Sequence, residues 1–191
     1  MHLLKFKKYY FIDNFNPVHL KALDKNISLI WRSKYKQRNL KLISKLADFC
    51  KKYKRSLFLS NDVKLALKLK LNGAYISAHN KDFRFNNYKL KKNFKIIGSA
   101  HNQIEINIKK KQKIKEIFIS PIFKHKNKSP LGIHKLKYIF EDTAFEKIAL
   151  GGINYKNIKL LKLSKFIGIA GISIFKKKAP NNLGPFKYLN F

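Results

Sequence analysis

The chain has 191 residues, with 43 Lys and Arg against 10 Asp and Glu, a formal net charge of +33. Its 45% hydrophobic and 14% aromatic content is enough to bury a core, which excludes an acidic or disordered tail. One cysteine, Cys50, excludes an internal disulfide and a CxxC metal site; with no run near the ~18 apolar residues of a membrane span and no secretory pattern in residues 1–10, a reducing, cytoplasmic setting without membrane partners is expected.

Short runs rich in Ile, Phe, Leu and Tyr predict strands at 9–12, 28–31, 56–59, 73–76, 95–97, 116–119, 147–150 and 166–169. Such runs suit strands buried on both faces. Between them lie segments of helical period. Leu40, Leu42, Ile43 and Leu46, with Ala47 and Cys50, form one apolar face, and Val63, Leu65, Ala66 and Leu69 form another. Ile106 with Ile108, and Ile158 with Leu160 and Leu161, are weaker versions, and Lys fills the outward positions. Eight strands alternating with helices predict an α/β chain closed as a (β/α)8 TIM barrel; an open sheet of five or six strands is the alternative. The chain is short beside the roughly 250 residues usual for that fold, so several helices must be only two turns long. One domain over 1–191 is expected, with a core at about 9–176 and an irregular tail at 179–191.

The charge says less than its size suggests. Of the 43 basic residues 39 are Lys and four are Arg, and the chain also holds 18 Asn. Lys, Asn, Ile and Phe are residues of A/T-rich codons, whereas readers of nucleic acid favour the planar fork of Arg. The lysines therefore read first as a coat on helix exteriors, with a basic nucleic-acid-binding barrel left as an alternative.

Glycine placement marks an active face. Five of the eight glycines lie between positions 132 and 171. Gly151 and Gly152 directly follow the seventh predicted strand, and Gly171 and Ser173 follow the eighth, where (β/α)8 barrels commonly cradle phosphate. After the sixth strand, Lys124, His125, Lys126 and Lys128 form a long basic loop. It reads equally as a lid over a phosphate and as a solvated stretch.

Several ordered pieces carry a resemblance. They are IWRSK at 30–34, LFLSNDV at 57–63, NGAYI at 72–76, IGSAHNQIE at 97–105, SPIF at 120–123 followed by Lys128 and PLG at 130–132, ALGGI at 149–153 and AGIS at 170–173. In this order they resemble the thiamine phosphate synthase / TenI family over about residues 10–175. The resemblance implies a barrel that couples hydroxymethylpyrimidine diphosphate to a thiazole phosphate with Mg2+. Carried over by position, Arg32, Lys34 and Lys128 are the diphosphate cations, and Ser99 donates to the diphosphate or the pyrimidine. Gly151, Gly152, Gly171 and Ser173 hold the thiazole phosphate. Ser60, Asn61, His125 and Asn127 occupy further substrate positions. The oligomeric state stays open.

The departures fall mainly on the metal. Asn61 and Asn80 stand where the family has its two metal-binding Asp residues, and the nearby carboxylates are Asp62 and Asp82. Mg2+ prefers carboxylates, so either these two shift in or metal-assisted chemistry is lost. The family's metal-free alternative, a TenI-type thiazole tautomerase, relies on a His where this chain has Pro121. A catalytically degenerate phosphate-binding barrel is the remaining reading. Trp31 and Tyr75 are expected to be packing residues, His101 a loop-fixing partner and Cys50 core.

Overall fold

The computed structural model describes residues 6–32, 39–124, 129–131, 145–163 and 165–176. Lys34, His125, Asn127, Lys128, Gly132 and the tail at 179–191 lie outside the described residues.

Eight strands form the molecule's centre: β1 (Lys7–Ile12), β2 (Ile27–Trp31), β3 (Leu57–Ser60), β4 (Gly73–Ile76), β5 (Lys95–Ala100), β6 (Glu116–Ile119), β7 (Glu146–Leu150) and β8 (Phe166–Gly171). Each pairs in parallel with the next, and β8 returns to β1 through Lys7↔Gly168 to Tyr10↔Gly171. The sheet is a closed barrel, as the eight predicted runs require. Around it lie α1 (Pro17–Ala22), α2 (Leu40–Lys52), α3 (Val63–Lys68), α4 (Gln103–Lys111) and α5 (Ser173–Lys176). The six-residue α1 and α3 are the two-turn connections that the chain length demands. Asn16, Asn39, Asp62 and Asn102 begin the first four helices by accepting a backbone N–H three residues on, which satisfies an otherwise orphaned donor. Where the pattern predicts a helix at Ile158, the chain instead makes a 3-10 helix, Ile158–Leu163. A second one, Arg84–Asn87, lies on the irregular path from β4 to β5. Among the described residues no helix is long and apolar enough to cross a membrane.

Strand alternation divides the apolar residues into two clusters. Tyr9, Phe11, Ile30, Phe58, Tyr75, Ile97, Phe118, Ile148 and Ala170 fill the lumen. The other parity, including Tyr10, Leu29, Trp31, Leu59, Ile76 and Ile117, packs under the helices with Ile43, Leu46 and Cys50 of α2. Trp31 and Tyr75 are thus both packing residues, on opposite faces. Burial pushes the Cys50 thiol up to about 12, so it is an inert core group.

The lumen is unusually aromatic: Phe11 meets Tyr75 edge-on at 5.1 Å, and Tyr9 meets Phe118 at 4.9 Å. At its N-terminal end the lumen closes on charge. Buried Glu116 accepts from the Tyr9 hydroxyl at 2.5 Å and pairs with Lys7 at 2.8 Å and Lys95 at 3.1 Å. Cavities open beside this charged end, one of about 420 Å³ between Lys7, Lys95, Glu116 and Glu146, while the C-terminal ends of the strands carry the groups described next.

Candidate active site

Arg32 follows β2 directly. Its N–H donates to the carbonyl of Ile12 at 2.8 Å, which ties it to the end of β1, and its guanidinium stands 5.8 Å from the centre of the Phe11 ring. Beside it, the buried Tyr75 hydroxyl donates to Oγ of the buried Ser99 at 2.8 Å. Burial pushes the Tyr75 phenol up to about 12, while the Ser99 bond and the Arg32 charge pull it back. Tyr75 therefore keeps its proton at neutral pH and acts as donor, so Ser99 can turn its own hydrogen to another acceptor. An exposed cation, an oriented hydroxyl and an aromatic wall meet at one mouth.

The ends of β3 and β4 supply amides. Asn61 sits at φ +56°, a conformation asparagine tolerates better than most residues, and its N–H donates to the Tyr75 carbonyl at 2.7 Å. Its side-chain oxygen accepts from the Ser77 N–H at 2.9 Å and from Asn80 Nδ2 at 3.2 Å, while its Nδ2 donates to Ser77 Oγ at 3.1 Å. Ser60 precedes it as the last residue of β3.

The two carboxylates that the sequence offers to a metal are engaged with other partners in the structure. Asp62 caps α3, with Oδ1 accepting from Leu65 N–H at 2.9 Å. Asp82 takes both oxygens to the Arg84 side chain, at 2.8 to 3.1 Å, and the Arg84 bonds hold its carboxyl below the usual range. Among the described residues no three His, Cys, Asp or Glu side chains gather where an ion could sit. The donor set at Asn61 and Asn80 is neutral and bonded to itself, so the described residues do not fit Mg2+, which seeks carboxylate oxygens in near-octahedral array.

The ends of β6, β7 and β8 supply backbone. Ile122 N–H donates to the Leu150 carbonyl and Phe123 N–H to the Gly151 carbonyl, so residues 120–124 lie against the glycine turn. Gly151 and Gly152 have φ of +89° and +70°, and a Cβ on Gly152 would stand 2.5 Å from the Phe123 carbonyl oxygen. Positive φ and close packing together exclude a side chain there. Gly171 and Ser173 stand at the end of β8 and the start of α5, with Ser173 exposed. His101 is the loop-fixing residue the sequence suggests. Its N–H donates to Glu105 Oε2 at 2.6 Å and its Nδ1 lies 2.7 Å from the Ser120 carbonyl oxygen.

Arg32, Ser60, Asn61, Ser99, Gly151, Gly152, Gly171 and Ser173 thus all stand at the C-terminal ends of barrel strands. Lys34, His125, Asn127 and Lys128 lie outside the described residues. The sequence reading missed two things. It took Tyr75 as packing alone, although its hydroxyl orients Ser99. It also placed lysines outward, yet Lys109 is 0% exposed. The signal was present, because Lys109 follows Ile106 by three positions on the inward face of α4.

Residues 12–175 match the sequence model of the family described as thiamine monophosphate synthase. A putative thiamine-phosphate synthase 2 of Aquifex aeolicus is 32% identical over 172 residues, which are 85% of this chain and 90% of that protein. The thiamine-phosphate synthase of Prochlorococcus marinus (strain AS9601) is 34% identical over 142 residues, 72% of this chain, but the match spans only 40% of that enzyme's length. Among solved structures, thiamine phosphate pyrophosphorylase from Pyrococcus furiosus superposes with a TM-score of 0.70 at 18% identity, covering 93% of this chain and 91% of that one, a likeness of fold.

Proposed function

The chain belongs to the thiamine monophosphate synthase family, and from that premise we propose that it joins a pyrimidine-methyl diphosphate to a thiazole phosphate. In this reaction the bond between the pyrimidine methylene and the diphosphate oxygen breaks, with its electron pair leaving on diphosphate. The resulting pyrimidine-methyl cation is captured by the lone pair of the thiazole nitrogen, which forms the new C–N bond. The catalytic task is to stabilise negative charge on the leaving group and to align the nucleophile.

The observation that carries this reading is the Arg32–Tyr75–Ser99 cluster on an aromatic wall. The Arg32 guanidinium faces the leaving diphosphate, and the Ser99 hydroxyl donates to it or to the pyrimidine. Lys34 and Lys128 complete the cation set. The Gly151–Gly152 turn and the Gly171–Ser173 segment receive the thiazole phosphate, and Ser60, Asn61, His125 and Asn127 contribute polar contacts. With Asn61 and Asn80 in place of carboxylates, charge neutralisation falls on these cations. The tautomerase reading has no comparable support, since Pro121, the second residue after β6, stands where it needs an imidazole.

The test is product formation by the purified protein with both substrates, with and without Mg2+. Thiamine phosphate should appear, and Arg32→Ala should suppress it. Absence of product together with absence of pyrophosphate binding would overturn the reading.

A further inference from the structure

Residues 77–82 carry no regular secondary structure, yet two side chains of the α4 segment hold them at several points. Lys109 runs inward beside β5, where Gly98 makes room for it. A Cβ on Gly98 would stand 3.3 Å from Lys109 Cδ and 2.7 Å from Ile114 Cδ1. The Lys109 ammonium then donates to the carbonyls of Ser77 at 2.8 Å and Asn80 at 2.9 Å, and to Gln112 Oε1 at 2.9 Å. Gln112, 1% exposed, sends its Nε2 to the carbonyls of Asn80 at 3.0 Å and Asp82 at 2.9 Å.

All three ammonium protons are thereby satisfied by neutral oxygens. Burying a charge without a carboxylate partner is expensive, and a methionine would fill the same space without that penalty. What an ammonium adds is a single anchor for carbonyls at separate points of an irregular loop. The residues so anchored are the ones that build the amide cluster. Ser77 and Asn80 bond to Asn61, which stands at the end of the neighbouring strand. Each amide nitrogen carries a second N–H that these bonds do not use. Asn61 is exposed and Asn80 half-buried, so the cluster can meet a ligand.

We propose that Lys109 is a positioning residue for the diphosphate end of the mouth, holding Ser77 and Asn80 through their backbone so that the Asn61–Ser77–Asn80 cluster meets an anionic ligand directly. The inference rests on the site reading above and adds a residue that touches no substrate. It separates the lysine that shapes the site from those that coat the surface.

The test uses the full chain, wild type and Lys109→Met. Each is titrated calorimetrically with inorganic pyrophosphate in EDTA and, separately, with thiazole phosphate. The side-chain amide NMR signals of Asn61 and Asn80 are recorded without ligand. Lys109→Met should weaken pyrophosphate by about tenfold or more, leave thiazole phosphate within about twofold and shift both amide signals. Unchanged pyrophosphate affinity would overturn the proposal, as would an equal loss for both ligands, which marks a general structural defect. If the wild type binds no pyrophosphate, the site reading fails by itself. The ligand-free amide signals then decide the positioning role: shifted signals support it and unshifted signals overturn it. If Lys109→Met does not fold, Gln112→Met is judged by the same criteria, with a pyrophosphate loss of about threefold expected.

Discussion

At the N-terminal mouth of the barrel, Glu116 is 4% exposed and meets Lys7, Lys95 and the Tyr9 hydroxyl within the fold, while Lys7 also reaches Glu146 at 2.6 Å. At the C-terminal mouth three nearby carboxylates have local partners. Asp62 caps a helix, Asp82 pairs with Arg84 and Glu105 receives the His101 N–H. Arg32, the Ser99 hydroxyl, the amides and the glycine turn stand at the same end. The same lysine-rich chain thus gathers paired charge at one end and places an exposed cation with hydrogen-bond donors at the other. Net charge does not distinguish the two ends. Local pairing does, because a cation matched at hydrogen-bond distance has little attraction left for a ligand.

Five experiments bear on that contrast, beginning with the largest expected effect. Glu116→Ala leaves Lys7 with Glu146 alone, Lys95 with solvent and the buried Tyr9 hydroxyl without its acceptor, and should lower stability by about 3 kcal/mol in urea unfolding, leaving pyrophosphate binding of the folded protein intact. A loss of binding instead would show that the two mouths are coupled. The same carboxylate gives a pH signature. Burial pushes Glu116 up, but the bonds from Lys7 and Tyr9 outweigh it and hold the group below the usual glutamate value. Its stabilisation is therefore complete above the unfolded-state value near 4.5 and fades as pH falls through the lower folded value. Stability measured across that acid range should fall less steeply in Glu116→Gln.

Arg32→Ala should weaken pyrophosphate by about 100-fold with the melting temperature within about 2 °C of wild type, since an exposed cation is lost and no core is touched. A large drop in melting temperature would make Arg32 structural. Tyr75→Phe removes one buried hydrogen bond and should lower product formation by about tenfold at a stability cost near 1 kcal/mol. Equal activity in this variant would return Tyr75 to packing alone. The smallest effect is at Asp62: Asp62→Ala should cost about 1 kcal/mol as a lost helix cap, and Asp62→Asn only a few tenths. Neither should change the response of product formation to Mg2+, and a change in Asp62→Asn would restore this carboxylate to a metal role.

The barrel was legible because strands buried on both faces leave continuous apolar runs in the chain. Each of the eight predicted strands overlaps an observed one, with ends misplaced where the pattern breaks. β5 continues through Gly98, Ser99 and Ala100, and β8 reaches Gly171, residues that carry no strand signature of their own. The location of Arg32, Asn61, Ser99 and the glycine pair on one face was legible too, since all sit at or just beyond strand ends and a parallel barrel puts those ends together. The fate of Asp62 was not. Its position beside Asn61 suggested a shift into a metal site, whereas three residues of helix start claimed it as a cap.

Lys109 shows the same limit most sharply. The sequence by itself determined that position 109 lies on the inward face of a helix, and also that a lysine is the wrong residue for an apolar core. Only the tertiary structure reconciled the two, by bringing the carbonyls of Ser77 and Asn80 to the ammonium from about 30 residues away along the chain. Periodicity is a local property and survives in the order of residues. Charge pairing and hydrogen bonding act through space, so that Lys109 lies buried against the loop at 77–82 was decided only when distant segments met.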